Sequence, residues 1–135
     1  MKHERDFTPA SALDARAWRG MAACSGGRMA EGSVAREYVM RGYELVAERW
    51  RGQGGEIDLI LCKAGEYVFV EVKKASFHHW AAERIGRRQI MRICNAALEF
   101  CGRLSTGLLT PMRFDAALVD QFGRVQIHEN AFGGN

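Results

Sequence analysis

Two short stretches, Glu56-Ile57-Asp58-Leu59-Ile60 and Phe69-Val70-Glu71-Val72-Lys73, decide the fold of this 135-residue chain. Both alternate between apolar and polar residues, which is typical of strands with one buried face. A short turn around Ala64-Gly65 joins them, so the sequence predicts a β-hairpin. Side-chain alternation predicts one shared apolar face on the first strand: Ile57, Leu59 and Leu61.

The register of this hairpin follows from the same pattern. A turn of two or four residues places Asp58 directly opposite Glu71 and Glu56 opposite Lys73. A turn with an odd number of residues would oppose Asp58 to a valine and break the apolar face. We therefore expect two carboxylates to face each other across neighbouring strands.

Such an opposed pair of acids is unfavourable by itself. Directly opposed residues have Cβ atoms roughly 5 Å apart, and two ionised carboxylates at about that distance repel by ~3 kcal/mol at an effective dielectric near 20. Lys73, on the same face as Glu71, supplies one positive charge, and a divalent cation would supply the rest. Because carboxylate oxygens are hard ligands, Mg²⁺ or Mn²⁺ fits better than Zn²⁺.

The rest of the chain predicts an α/β domain. Helical spacing of apolar residues predicts a helix over 28–40, and the second helix has the clearest amphipathic pattern. Strands are expected over 43–51, 56–62, 67–73, 113–120 and 124–129, in the order α, β, β, β, α, β, β. We expect one domain over residues 26–135, preceded by an N-terminal arm over residues 1–25 that is mobile or forms a short helix.

Glu31 on the first predicted helix is a candidate third acid of the site. It lies on the inward-turned face, three, four and seven residues before Val34, Ala35 and Tyr38. A carboxylate on that face is unfavourable unless it is paired or bound to a metal. The alternative is a glutamate in the first turn that the helix dipole favours.

The second predicted helix is basic on the side opposite its apolar stripe. The stripe consists of Ile90, Ile93, Cys94, Ala97, Leu98 and Cys101. From Lys73 to Arg92 there are six basic residues and one acid, so this stretch carries +5 against +3 for the chain. We predict that a nucleic-acid backbone binds here, through Lys74, Trp80, Arg84, Arg87, Arg88 and Arg92. The alternatives are a solvated helix face for the arginines and a core or dimer-interface role for Trp80.

Cysteine usage and hydropathy exclude other classes of protein. None of the four cysteines forms a C-x-x-C pair or has zinc-finger spacing to a histidine, so we expect reduced, core-filling thiols. No apolar segment is long enough to span a bilayer, and the N-terminal stretch lacks an apolar signal core. These features predict a cytoplasmic protein without a membrane partner.

The stretch Gly55-Glu56-Ile57-Asp58-Leu59-Ile60, followed by Val68-Phe69-Val70-Glu71-Val72-Lys73, resembles the UPF0102 or YraN-like endonuclease-like family. That family is related to archaeal Holliday junction resolvases within the PD-(D/E)xK nuclease superfamily, whose restriction-endonuclease-like core has the order αβββαβ. Further matches are Gly27 with Glu31 and Ala35, Gly42-Tyr43, Trp50-Arg51, Arg113-Phe114-Asp115 and Asn130-Ala131-Phe132. Departures are Ile57 in place of the superfamily's proline, Lys74-Ala75 in place of Thr-Arg, and Gln89 in place of a common lysine.

The resemblance implies hydrolysis of phosphodiester bonds in DNA, including branched or junction DNA, with Mg²⁺ as cofactor and Mn²⁺ as a substitute. By this analogy Asp58 and Glu71 bind the metal with the carbonyl of Val72, Glu31 assists directly or through water, and Lys73 positions the attacking water. Analogy with the resolvases also implies a homodimer. Two alternatives stay open: a nucleic-acid-binding protein of this fold with little or no cleavage activity, and a non-catalytic interaction module.

Overall fold

The computed structural model describes residues 26–74 and 85–131 of the chain. Two α-helices, α1 (Gly26–Met40) and α2 (Arg87–Cys101), accompany five strands: β1 (Glu44–Arg51), β2 (Glu56–Lys63), β3 (Glu66–Lys74), β4 (Met112–Val119) and β5 (Val125–His128). A short 3-10 helix, Gly107–Leu109, precedes β4. The predicted order of elements is confirmed, and the boundaries of the first helix and of the five strands differ from the expected ones by at most two residues.

The strands form one mixed sheet in the order β1-β2-β3-β4-β5. Neighbouring strands are antiparallel except β3 and β4, which run parallel, with Val70 beside Asp115 and Glu71 beside Ala116. The parallel pair needs the long crossover that contains α2. The α/β class and the αβββαβ core predicted from the sequence are thus confirmed.

The β2–β3 hairpin has the predicted register. Leu59 pairs with Val70, and the ladder continues to Lys63 opposite Glu66. The two residues between them, Ala64 and Gly65, have φ angles of 52° and 85°, as a two-residue type I′ turn requires. The turn and the apolar alternation therefore select the same register.

The two helices cover opposite faces of the sheet. On one face α1 packs Val34, Ala35 and Tyr38 against buried strand residues that include Leu59 and Val70. On the other face Ala96, Ala97 and Cys101 of α2 form a second cluster with Ile60, Tyr67 and Phe69. Each face of β2 and β3 is therefore buried under a helix, except at the end of the hairpin opposite the turn, where Asp58 and Lys73 lie.

Two predictions about facing residues are wrong. Ile57 packs in the cluster beneath α2, whereas Leu59 and Leu61 pack beneath α1, so the alternation breaks at Asp58. Leu98, expected in the apolar stripe of α2, is 47% exposed, and Cys94 is only half-buried. The ring of Phe100 lies 5.5 to 6.0 Å from those of Trp50, Tyr67 and Phe69. This aromatic packing turns Ala96 toward the sheet in place of Leu98.

Several predictions fall on residues outside the described ranges. These are the N-terminal arm 1–25, Trp80, Arg84 and Phe132. The boundary of the domain at residue 26 therefore stays a prediction. Neither of the helices described in residues 26–74 and 85–131 is long and apolar enough to cross a membrane.

Candidate active site

Asp58 lies where β2 and β3 stop pairing. The ladder ends at Leu59 and Val70, and one residue further Oδ2 of Asp58 accepts the backbone N–H of Val72 at 2.8 Å. The side chain of Asp58 thus replaces a backbone acceptor in the next ladder bond. This hydrogen bond holds its carboxylate at the end of the hairpin. Burial raises the pKa of Asp58, and the hydrogen bond from Val72 opposes that shift.

Glu71 is the second acid, and it is buried at 5% exposure. The charge of Asp58 acts on this carboxyl group, and Nζ of Lys73 lies 3.4 Å from its Oε2. Burial, followed by the charge of Asp58, raises the pKa of Glu71 to about 7, against the opposing charge of Lys73. The structure therefore brings Asp58, Glu71 and Lys73 together, as the hairpin register predicts.

Glu31 reaches the same region from α1. Burial, and next the charge of Asp58, raise its pKa to about 7, and Arg49 opposes this shift. Nη1 of Arg49 lies 3.5 Å from Oε1 of Glu31, and Nε lies 3.8 Å from Oε2 of Glu56. Arg49 adopts a left-handed φ of 51°, which is uncommon for a residue other than glycine. The sequence interpretation missed Arg49, because only the fold brings it beside Glu31.

Gln89 is a second residue that the sequence interpretation did not place in the site. Its Nε2 donates to Oε2 of Glu71 at 3.3 Å, and its Oε1 accepts from Nη2 of Arg92 at 2.6 Å. The spacing of Gln89 and Arg92, three residues apart on a helix, puts them on one side. The sequence contains that signal, but the contact with Glu71 depends on how α2 docks on the sheet.

Of the predicted nucleic-acid-binding residues, four are described and all are exposed: Lys74, Arg87, Arg88 and Arg92. Lys74 ends β3, one residue after Lys73, and the three arginines lie on the first two turns of α2. Arg92 contacts Gln89, and Gln89 contacts Glu71. The basic surface therefore adjoins the acidic site. Trp80 and Arg84 lie outside the described residues.

The acids fit a divalent cation as two direct ligands. Asp58 is half-buried and Glu71 is buried, the charge of Asp58 acts on Glu71, and Lys73 lies beside Glu71. An uncompensated pair of hard oxygen ligands is what Mg²⁺ or Mn²⁺ offsets. Within residues 26–74 and 85–131, no three His, Cys, Asp or Glu side chains converge closely enough to hold one ion together. Glu31 approaches the pair from α1, and its role, as a direct ligand or through water, stays a prediction.

Asp115 is a separate acid that is fully buried from solvent. Protein hydrogen-bond donors surround its carboxylate. Arg113 donates to both of its oxygens at 2.9 Å, and the hydroxyl of Tyr38 donates to Oδ2 at 2.6 Å. The backbone N–H of Asn130 donates to Oδ1 at 2.9 Å. These bonds join α1, β4 and the segment after β5, so this cluster holds the fold together and has no acceptor left for a ligand.

The sequence matches the model of a family described as "Uncharacterised protein family UPF0102" over residues 30–119. A UPF0102 protein of Ruegeria pomeroyi is 53% identical over 121 residues, which cover 90% of this chain and 98% of that protein. One of Roseobacter denitrificans is 53% identical over 118 residues, covering 87% and 92%. One of Dinoroseobacter shibae is 42% identical over 126 residues, covering 93% and 92%. The matched range includes every residue of the acidic site described above.

Proposed function

We propose that this chain, which belongs to the UPF0102 family, is a metal-dependent endonuclease that hydrolyses phosphodiester bonds in DNA. The observation that carries the proposal is the placement of Asp58 and Glu71 together where β2 and β3 stop pairing, with Nζ of Lys73 3.4 Å from Glu71. An acidic pair alone would suit many cation sites. The exposed arginines of α2, which start at this pair, add the positive surface that a polyanionic substrate needs.

Asp58 and Glu71 would hold Mg²⁺ or Mn²⁺ with the carbonyl of Val72, and Glu31 would support the ion from α1. A divalent cation supplies Lewis-acid polarisation of the phosphate and lowers the pKa of a bound water. The protein's part is to favour the ionised form of each acid against burial and to fix the orientation of each carboxylate. The N–H of Val72 does this for Asp58, and Lys73 does it for Glu71.

Lys73 has a second role in this proposal. Its ammonium group is about one third exposed, so it can contact both Glu71 and a phosphate brought to the site. An ammonium has three donors, of which one direction is used toward Glu71. The others can orient the attacking water and stabilise the negative charge that builds up on the phosphate oxygens.

Lys74, Arg87, Arg88 and Arg92 would bind the phosphates on either side of the cleaved bond, which fixes the position of the strand but not its sequence. We extend the proposal to branched or junction DNA and to a homodimer by analogy with the resolvases. Both extensions rest on the family resemblance described above. Size-exclusion chromatography with light scattering tests the homodimer.

A second candidate, a nucleic-acid-binding protein of this fold that cleaves little or not at all, is favoured by one observation. No three metal-ligating side chains converge in the described parts of the chain, and a two-carboxylate site holds Mg²⁺ less tightly than a fuller set of ligands. Cleavage and binding must therefore be measured separately.

The deciding experiment is a cleavage panel with Mg²⁺ or Mn²⁺ over duplex, branched and single-stranded DNA and over RNA. We expect cleavage of DNA by the wild type, and a loss on the order of 10²–10³-fold in Lys73→Ala, the size typical of removing one preorganised donor. Asp58→Asn should abolish cleavage. Binding measured by fluorescence anisotropy in EDTA should persist in both variants.

The matched control is Glu37→Gln, which removes an acid of α1 that pairs with Arg41 at the protein surface. It should cleave like the wild type. Salt-sensitive binding without cleavage of any substrate would replace the nuclease by the second candidate. No salt-sensitive binding to any nucleic acid would leave only an interaction module.

A further inference from the structure

Gln89 links the acidic site to the basic surface through two hydrogen bonds. A side-chain amide has a donor end and an acceptor end. Arg92 donates to the acceptor end at 2.6 Å, and the donor end reaches Oε2 of Glu71 at 3.3 Å. Since the arginine can only donate, it fixes which end of the amide faces Glu71. Without Arg92 only the longer bond to Glu71 would hold the amide, which would then be less firmly oriented.

The same oxygen of Glu71 receives a second donor. Nζ of Lys73 lies 3.4 Å from Oε2, so Gln89 approaches this oxygen from α2 and Lys73 approaches it from β3. Two donors on one oxygen set the rotation of the carboxylate plane, and neither of them occupies Oε1. The bond from Gln89 also offsets part of the unfavourable effect of burying the carboxylate of Glu71 beside Asp58.

We infer that Gln89 is a positioning residue that orients Glu71 for a divalent cation, and that Arg92 contributes to cation binding through Gln89. This inference rests on the proposed metal site. Partners hydrogen-bonded to a metal-ligating group typically change metal affinity by about 10–100-fold when they are removed. Through Gln89, Arg92 would strengthen cation binding. Its own positive charge would weaken cation binding, so the two effects have opposite signs.

Because the two effects have opposite signs, a measurement of cation affinity distinguishes them. By Coulomb's law, removing a positive side chain near a cation site tightens cation binding. If Arg92 acts through Gln89, Arg92→Met must instead weaken it, because the amide loses its fixed orientation. Arg88→Met is the matched control, since it removes the same charge from an exposed position on the same helix. It should leave cation affinity unchanged or slightly tighter.

The measurement is Mn²⁺ binding to the full chain without substrate, followed by the electron paramagnetic resonance signal of free Mn²⁺. We expect about tenfold weaker binding in Gln89→Met and about threefold weaker binding in Arg92→Met. The double variant should bind no more weakly than Gln89→Met, since both changes break one relay. If the two substitutions acted independently, their losses of Mn²⁺ affinity would add in the double variant.

Asp58→Asn separates the inference from the proposed function. If Asp58→Asn binds Mn²⁺ like the wild type, the metal site itself is wrong. If Asp58→Asn abolishes binding while Gln89→Met binds like the wild type, only the role of Gln89 is wrong. Tighter binding in Arg92→Met, or additive losses in the double variant, would overturn the relay. If Gln89→Met lowers the melting temperature, Arg92→Met carries the test, because it leaves every group in contact with Glu71 in place.

Discussion

Asp115 and Glu71 lie on neighbouring parallel strands, one position apart in register, and both are buried. Asp115 accepts bonds of 2.6 to 2.9 Å from Arg113, Tyr38 and the backbone of Asn130. Glu71 receives longer contacts of 3.3 and 3.4 Å from Gln89 and Lys73, and it faces another acid. The first carboxylate is satisfied by the fold, whereas the second is left with excess negative charge.

This difference shows that burial of an acid does not by itself indicate a functional site. What distinguishes the site is the balance of charge and donors around each carboxylate. Arg113 neutralises Asp115 one to one with two parallel hydrogen bonds, the strongest geometry available to such a pair. Asp58, Glu71 and Glu31 share Lys73 and Arg49 between them. The two clusters should therefore respond in opposite ways to the loss of an acid.

The largest effect is expected for Asp115→Asn. Removing the charge leaves Arg113, whose side chain is only 16% exposed, with only its longer contacts of 3.7 and 3.9 Å to the more exposed Glu66 and Glu129. Breaking a buried pair in this way typically costs about 3–5 kcal/mol of unfolding free energy, measured by urea denaturation. Glu37→Gln, which breaks an exposed pair, should cost less than about 0.5 kcal/mol. Equal losses in the two variants would contradict the distinction between the clusters.

Glu71→Gln should instead stabilise the metal-free chain at pH 8, by on the order of 1–3 kcal/mol. The pKa of Glu71 is raised from an ordinary 4.5 to about 7, so between these values the folded chain binds more protons than the unfolded chain. The wild-type free energy of unfolding therefore falls as pH rises through this window. The variant should show a flatter profile of melting temperature from pH 4 to pH 8. A profile parallel to the wild type's would contradict this pKa.

The smallest of these effects is stabilisation by Mg²⁺. An ion that binds only the folded chain raises the unfolding free energy by about 1.4 kcal/mol at ten times its dissociation constant. At pH 8 we expect this shift in the wild type and in Asp115→Asn where it folds, but not in Asp58→Asn. Thermal unfolding with Mg²⁺ or EDTA measures it. Stabilisation of Asp58→Asn equal to that of the wild type would place the ion elsewhere.

Much of the site follows from local sequence. A two-residue turn and strict alternation place Asp58 next to Glu71, and the register that they predict is the one in the structure. Lys73 follows Glu71 by two residues on the same strand, so their contact needs no tertiary information. The inward position of Glu31 follows from helical periodicity, and burial together with the charge of Asp58 raises its pKa.

Other residues of the site depend on how distant elements meet. Alternation predicts Ile57 beneath α1, yet the side chain of Asp58 replaces a ladder bond and the strand changes faces there. Periodicity places Leu98 inward, yet the aromatic cluster around Phe100 sets a different rotation of α2. That rotation also carries Gln89 to Glu71. A helical pattern defines an apolar stripe to within about one residue, which is too coarse to predict such a contact.

The sequence by itself determined the hairpin, its register, the order of elements and the meeting of Asp58, Glu71 and Lys73, because each depends on turn length and side-chain period. Only the tertiary structure decided that Arg49 and Gln89 join these acids and that Asp115 does not. Arg49 and Gln89 each meet an acid 18 residues away in the chain, and Asp115 needs Tyr38 and Asn130 in addition to its neighbour Arg113. Whether a buried carboxylate is satisfied is a property of its assembled surroundings, which no local pattern contains.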